Sequence, residues 1–189
     1  MRPPGLALRL ASALPAYARI AWWGLVAPHT PGSRSLRVVQ AVIEREGRVL
    51  LAVRSDLHGW ELPGGTPHPG EDDAQALARE VREETGLDVE ILRHVGDYER
   101  SGFRSHLARV YACRVRRGEE RPSDETPRLR WFEATRPPAT LFPWYRAPLA
   151  DALAGRSEPV ARCERQGVAR VLAGLAIDLR MRISDDTAA

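Results

Sequence analysis

The amino-acid sequence predicts an α/β domain in which helices cover both faces of a mixed β-sheet. Short apolar runs rich in β-branched residues, typical of strands, alternate with segments whose apolar residues recur at helical spacing. With 189 residues, 43% of them hydrophobic, the chain is long enough for one such domain with extensions. We therefore expect a domain over residues 35–153, preceded by a helical extension and linker (1–34) and followed by a helical extension (154–189).

The composition excludes several classes of function. All 28 basic residues are arginine and the net charge is only +3, which is too small a surplus to indicate specific nucleic-acid binding. The two cysteines, Cys113 and Cys163, lie far apart and form no CxxC pair, which favours a reducing, cytoplasmic setting. The longest apolar run, Ala21 to Ala27, is too short to span a membrane.

The first 34 residues predict a helix and a linker. Leu6, Leu10, Leu14 and Tyr17 recur at helical spacing, and Pro15 suits either the first turn of a helix segment or a kink. The following stretch, rich in proline, glycine and serine up to Ser35, is typical of a linker.

A strand pair then opens the predicted domain. Leu36 to Ile43 and Val49 to Val53 are apolar runs separated by the turn residues Glu46-Gly47, which predicts a hairpin. A short strand at Trp60 to Leu62 runs into Pro63-Gly64-Gly65, where consecutive glycines allow the backbone to approach a ligand closely.

Residues 71–85 predict a helix that Gly86 ends in a left-handed cap. Further apolar runs predict strands at Val89 to Leu92, Ala108 to Val115 and Leu129 to Phe132, followed by the last helices from near Pro148. In the C-terminal segment an apolar stripe recurs at helical spacing, with Asp178 expected on another, polar face. This stripe indicates either a helix packed on the domain or the surface of a homodimer.

Three acids on the predicted helix indicate a metal site. Glu80, Glu83 and Glu84 are spaced i, i+3 and i+4, so they project from one face, where like charges repel one another. Carboxylates in this arrangement suit a hard divalent cation such as Mg²⁺, which proteins commonly bind together with water and substrate phosphates. Arg79 lies four residues before Glu83 and is placed to pair with it.

These residues belong to a longer pattern that resembles the Nudix box at every defined position. The pattern is Gly65-x5-Glu71-x7-Arg79-Glu80-Val81-x-Glu83-Glu84-x-Gly86-Leu87. The resemblance implies a Nudix-type α/β/α sandwich and an Mg²⁺- or Mn²⁺-dependent attack of water on a diphosphate linkage.

The resemblance also implies roles for individual residues. Arg79 would orient the acids, and Glu71 would stabilise the turn between loop and helix. The base that takes the proton of the attacking water would be either a box glutamate or Glu125 in a later loop, with Glu119, Glu120 and Asp124 as competitors. The implied metal-binding groups are Glu80, Glu83, Glu84 and the carbonyl oxygen of Gly64.

The substrate is less clearly indicated. Arg100 and Arg104 follow the box in a loop-like stretch and are candidates for binding phosphate. Trp144 and Tyr145 are candidates for stacking on a base, or are packing residues. The leading expectation is hydrolysis of a nucleoside diphosphate derivative. The alternatives are a MutT-like nucleoside triphosphate pyrophosphohydrolase and a non-catalytic Nudix-fold binding module, which would be expected to have lost some of the acids.

Overall fold

A mixed β-sheet lies at the centre of the structure, a computed structural model that describes residues 11, 13–25, 36–102 and 105–184. The helices are α1 (Leu14–Leu25), α2 (Asp73–Thr85), α3 (Pro143–Leu153) and α4 (Val168–Ile183). The strands are β1 (Leu36–Arg45), β2 (Arg48–Val53), β3 (Trp60–Glu61), β4 (Gly64–Gly65), β5 (Leu87–Gly102), β6 (His106–Gly118), β7 (Arg128–Glu133) and β8 (Val160–Gln166). The predicted α/β class is confirmed.

Strand β1 connects the two halves of the sheet. It forms the predicted hairpin with β2 and pairs in parallel with β6, so the order is β3-β2-β1-β6-β5-β8, with β7 on β2 and β4 on β1. Strands β5 and β6 form a long antiparallel pair interrupted by bulges. The sheet is therefore mixed, as the sequence predicts.

Alternation along β1 divides the core between the two faces of the sheet. Val39, Ala41 and Ile43 are fully or almost fully buried against α2 on one face. Val42 lies on the opposite face, in the cluster that contains residues of α3 and α4. Burying each of these valine and isoleucine side chains contributes about 1.5–3 kcal/mol, so the helices on both faces are held by apolar packing in an α/β/α sandwich.

Helix α3 begins at Pro143, five residues earlier than predicted, and contains Pro148 within it. A proline inside a helix has no N–H to donate to the carbonyl four residues earlier. That carbonyl, on Trp144, instead accepts a hydrogen bond of 2.6 Å from the Arg100 guanidinium. A tertiary contact thus compensates for the missing bond, which explains why the sequence prediction began the helix too late.

The sequence predicts a helical extension over residues 154–189. In the structure this segment contains strand β8 before helix α4. Most residues of this strand are exposed, so it lacks the apolar run that identifies the other strands. It pairs in parallel with β5, where Gly96 and Gly102 lie opposite Val160 and Gln166. A Cβ atom at Gly102 would lie 2.6 Å from the carbonyl oxygen of Gln166, so this glycine permits the close pairing.

Helix α4 packs through a face different from the predicted one. Asp178, expected on a polar face, is fully buried together with Arg182, whose Nε lies 2.8 Å from its carboxylate. The same carboxylate accepts hydrogen bonds from the Tyr17 hydroxyl of α1 and from the His58 N–H, both at 2.5 Å. Burial and the hydrogen bond to Asp178 raise the pKa of Tyr17 to about 12. The buried charges are therefore paired and hydrogen-bonded, as burial requires.

Four apolar side chains of α4 remain largely exposed: Val168, Leu172, Leu179 and Ile183. They belong to the outer side of the helix, so the homodimer surface stays a prediction. Both cysteines are free thiols, with Cys113 buried and Cys163 exposed. None of the helices in the described part of the chain is long and apolar enough to cross a membrane.

Candidate active site

Helix α2 is fixed at both ends by the groups that the sequence places there. Asp72 is the N-cap, and it forms a reciprocal capping box with Gln75. At the other end Gly86 adopts the left-handed conformation (φ 76°) and donates its N–H to the carbonyl of Arg82. Because both ends are fixed, the acids of the last two turns have a defined position.

The two glycines before α2 bring the backbone close to the sheet and to the acids. Gly64 has φ 143°, and a Cβ atom there would collide with the backbone of Val39 and Gln40. A Cβ atom at Gly65 would collide with the carboxylate of Glu80. Glycine is therefore required at position 64 for strand β4 to lie against β1, and a larger residue at position 65 would displace the Glu80 carboxylate.

Glu84 is the most buried acid of the box, with 5% of its surface exposed. Its Oε2 accepts a hydrogen bond of 2.8 Å from the backbone N–H of Gly64. Burial raises the pKa of Glu84 to about 8, with contributions from the negative charges of Glu61 and Glu80. A buried carboxylate that neighbouring acids repel would be stabilised by a cation.

Arg79 connects the other acids of the motif. Its guanidinium lies 2.9 Å from Glu71 and 3.0 Å from Glu80, and 3.3 Å from the largely exposed Glu83. Hydrogen bonds from Arg79 and from the His68 N–H lower the pKa of Glu71 to about 2. Arg79 thus joins three acids of the box, while its orienting role and the turn-stabilising role of Glu71 stay predictions.

Sequence reasoning missed a further acid, Glu61 of β3. Its surface is 9% exposed, and Tyr145 donates a hydrogen bond of 3.2 Å to its carboxylate. Burial raises the pKa of Glu61 to about 7, although the nearby Arg54 guanidinium opposes the change. The available signal was an acid between Trp60 and Leu62, in an otherwise apolar strand that leads directly into the glycine loop.

The candidate base Glu125 is exposed, in a loop that is attached to the end of α2. The hydroxyl of the next residue, Thr126, donates a hydrogen bond of 2.6 Å to the carbonyl of Glu84. Among its competitors, Glu120 is engaged elsewhere, since its carboxylate accepts hydrogen bonds from Arg45 and from the Trp131 indole. The loop is thus beside the site, and the role of Glu125 stays a prediction.

Of the two arginines predicted to bind phosphate, the structure describes Arg100. Arg100 lies in strand β5 and not in a loop, and only 2% of its surface is exposed. Its guanidinium is 3.3 Å from Glu164 and also bonds the Trp144 carbonyl, which gives it structural partners. Arg104 lies outside the described residues.

The donor set fits a divalent cation by its chemistry. Carboxylate oxygens from one helix face and a backbone carbonyl are ligands that Mg²⁺ and Mn²⁺ accept. Among the residues that the structure describes, no three acidic, histidine or cysteine side chains already lie in a metal-binding arrangement. Arg79 instead pairs with Glu80 and Glu83, so binding of a cation would require these carboxylates to exchange that partner for the metal.

A cavity of about 530 Å³ opens beside the glycine loop. Glu61, Gly64 and Gly65 line it on the side of the box, and Trp144 and Tyr145 line it from α3. Its volume lies within the range of small-molecule sites, about 300–1,000 Å³. The site therefore has room for a group larger than the phosphates alone.

Comparison with known proteins agrees with this geometry. The family model of the NUDIX domain matches residues 34–152. A MutT-like protein of Streptomyces ambofaciens is 35% identical over 126 residues, which cover 67% of this chain and 81% of that protein. The CTP pyrophosphohydrolase of Escherichia coli is 44% identical over 80 residues, covering 39% of this chain and 59% of the relative.

A similar fold is seen in a crystal structure of an ADP-ribose pyrophosphatase from Streptococcus suis. It is 27% identical, superposes with a TM-score of 0.60, and the match covers 69% of this chain and all of that one. The domain match, the relatives and the complete box on α2 lead to the same assignment. The chain belongs to the Nudix family of hydrolases.

Proposed function

We propose that the chain hydrolyses the diphosphate linkage of a nucleoside triphosphate in a divalent-metal-dependent reaction, releasing pyrophosphate and a monophosphate. Pyrophosphohydrolase activity on nucleotide derivatives follows from the family to which the chain belongs. The single observation that carries the proposal is the complete set of box acids, with Glu84 buried beside the glycine loop. A non-catalytic module would not need to keep all of these acids.

The chain's own residues account for most of the required machinery. Glu80, Glu83 and Glu84 would hold Mg²⁺ or Mn²⁺, which supplies neutralisation of the diphosphate charge and a lowered pKa of water. Arg79, which pairs with Glu71, also contacts Glu80 and Glu83 and would offset their charge until the cation binds. The N–H of Gly64 fixes one carboxylate oxygen of Glu84, which orients the other.

The choice of base can be tested by substitution. If Glu125 takes the proton of the attacking water, Glu125→Gln should lower kcat by roughly 10²- to 10⁴-fold with little change in metal affinity. Asp124→Asn tests the competing acid of the same loop, and Glu133→Gln, at an exposed position of β7, is the control. An unchanged rate for Glu125→Gln assigns the base to a box glutamate.

The relatives favour a triphosphate as substrate. The CTP pyrophosphohydrolase of Escherichia coli is 44% identical to this chain over 80 residues, whereas the ADP-ribose pyrophosphatase is 27% identical over the region that it matches. A nucleoside diphosphate derivative is the second candidate, because the ADP-ribose pyrophosphatase is matched over its whole length.

Product analysis separates the two candidates. Purified protein is incubated with about two dozen nucleotides at millimolar Mg²⁺, and pyrophosphate and phosphate esters are identified by chromatography. Pyrophosphate with a nucleoside monophosphate, formed from triphosphates, supports the proposal. Two monophosphates formed from a nucleotide sugar or ADP-ribose support the second candidate, and no turnover with either Mg²⁺ or Mn²⁺ supports a binding module.

A further inference from the structure

The cavity beside the box is completed by residues that lie beyond the family domain. The domain match ends at residue 152, yet four lining residues come from the C-terminal segment: Gln166, Val171, Gly174 and Leu175. One wall of the cavity is therefore built by strand β8 and helix α4.

This wall is attached firmly to the domain. Asp178 and Arg182 of α4 are buried, and they bond the His58 N–H and the Asp56 carbonyl in the loop after β2. Gly174 allows the helix to approach the indole of Trp144, since a Cβ atom there would lie 2.9 Å from the ring. The same indole stacks on Phe142 with a centroid distance of 4.7 Å, which holds its orientation.

Two amides on this side of the cavity lack part of their hydrogen bonding. Gln40 of β1, which is 6% exposed, and Gln166 of β8 both line the cavity. Within the described residues, Gln40 Oε1 and Gln166 Nε2 are buried without a hydrogen-bond partner. Buried polar groups of this kind are rare in proteins and call for an explanation. A ligand that supplies both a donor and an acceptor would satisfy them.

The charges around the cavity indicate what kind of group this ligand carries. Arg54 is paired with Asp56, and Arg100 bonds the Trp144 carbonyl and shares Glu164 with Arg170, so both guanidinium groups that line the cavity already have partners. A phosphate would require cations that are still available, whereas apolar walls with neutral amides suit a planar heterocycle. Val38, Leu57 and Trp144 provide such walls.

We propose that β8 and α4 complete the substrate cavity, and that the amides of Gln166 and Gln40 recognise the nucleobase of the substrate. The inference rests on the proposed function for the identity of the substrate as a nucleotide. It assigns base selectivity to a residue outside the matched family domain, and it separates this role from the acids that perform the hydrolysis.

The test compares wild type with Gln166→Leu and with Gln166→Glu, which keeps the size of the side chain. Binding of AMP, GMP, CMP and UMP is measured by calorimetry without metal, and kcat/KM is measured for the four triphosphates with Mg²⁺. Arg165→Gln, at an exposed position of the same strand, is the control. Thermal melts accompany each variant, and Gln166→Leu should not lower Tm, because it removes a buried polar atom that has no partner.

We expect wild type to prefer one base, and both Gln166 variants to reduce that preference by about tenfold, while the control keeps it. Equal affinities of wild type for all four monophosphates, or an unchanged preference in both variants, overturns the inference. If a base preference in binding depends on Gln166 but no diphosphate is hydrolysed, the inference holds and the proposed function fails.

Discussion

The glycine loop that precedes the box helix α2 and the C-terminal segment border the same cavity, but the contacts of α2 and of the C-terminal segment differ in sequence range. In the box, the capping pair Asp72 and Gln75 and the ion pair of Arg79 with Glu83 join residues three or four positions apart. In the C-terminal segment, the carboxylate of Asp178 pairs with Arg182 within the helix, but it also bonds His58, 120 positions away, and Tyr17, 161 positions away. The proposed metal ligands lie in the region with local contacts, and part of the cavity wall depends on the region with distant contacts.

The difference between the two regions shows which structural features can be predicted from the local spacing of residues. A helix places residues i, i+3 and i+4 on one face whatever surrounds it, so the acids of α2 form a patch by sequence alone. The burial of Asp178 depends on groups from two other parts of the chain, and no local spacing contains that information. Mutations in the two regions should therefore affect different measurements.

The largest expected effect is on activity, in the box. Glu83→Gln removes a proposed metal ligand, and we expect kcat to fall by about 10³-fold or more. Since 61% of the Glu83 side chain is exposed, the free energy of unfolding should change little. Steady-state hydrolysis at saturating Mg²⁺, together with urea denaturation, checks both statements.

Glu90→Gln is the control for Glu83, because Glu90 is another exposed acid paired with an arginine, Arg114, away from the helix. It should leave kcat within about twofold, as surface ion pairs contribute little. Hydrolysis by Glu83→Gln at near wild-type rates would contradict the assignment of Glu83 as a metal ligand. Activity would then not depend on the local motif, and the contrast between the box helix and the C-terminal segment would no longer hold.

The next largest effect is on stability, in the C-terminal segment. Arg182→Met leaves the buried carboxylate of Asp178 without its ionic partner, although Tyr17 and His58 still bond it. Removing one member of a buried ion pair costs about 3–5 kcal/mol, so the free energy of unfolding measured with urea should fall by about 3 kcal/mol.

Arg180→Met is the matched control, because Arg180 is an exposed arginine of the same helix. We expect it to change stability by less than about 0.5 kcal/mol. Equal effects of the two substitutions would show that the buried pair does not anchor α4, and the division between a local site and a distant anchor would no longer hold.

The sheet and the box helix could be predicted because their patterns are strong. The apolar runs of β1 and β2 and the caps of α2 specify their elements locally. Strand β8 could not be predicted, since most of its residues are exposed and its pairing depends on two glycines of β5, about 64 positions earlier. The sequence prediction began α3 too late, near Pro148. The hydrogen bond that replaces the missing proline N–H comes from Arg100, which is distant in the sequence.

The candidate site shows the same limit. The acids and Arg79 were found from spacing, whereas Glu61 was not, because its burial beside Glu84 and Tyr145 depends on tertiary structure. Arg100 was interpreted as a loop residue facing phosphate, although the sheet buries it against Glu164. A charged residue in a strand pattern therefore needs the fold before it can be assigned a role.

The smallest expected effect is on stability, in the box, when metal is added. Mg²⁺ that binds the folded site but not the unfolded chain stabilises the fold by about 2.7 kcal/mol at a hundred times its dissociation constant. Thermal melts in chelator and in millimolar Mg²⁺ should therefore show a higher Tm with metal.

Glu84→Gln sharpens this measurement. A glutamine oxygen can still accept the hydrogen bond of 2.8 Å that the Gly64 N–H donates to Glu84. The variant also removes a buried carboxyl group whose charged form is disfavoured by burial and by Glu61 and Glu80. The metal-free variant should thus be as stable as wild type or slightly more stable, while its gain in Tm with Mg²⁺ should be smaller because a ligand is lost. An equal gain in both proteins, or none in wild type, would mean that these acids do not bind the cation. The repulsion among them would then have no counterpart in function, and the proposed reaction would lose its physical basis.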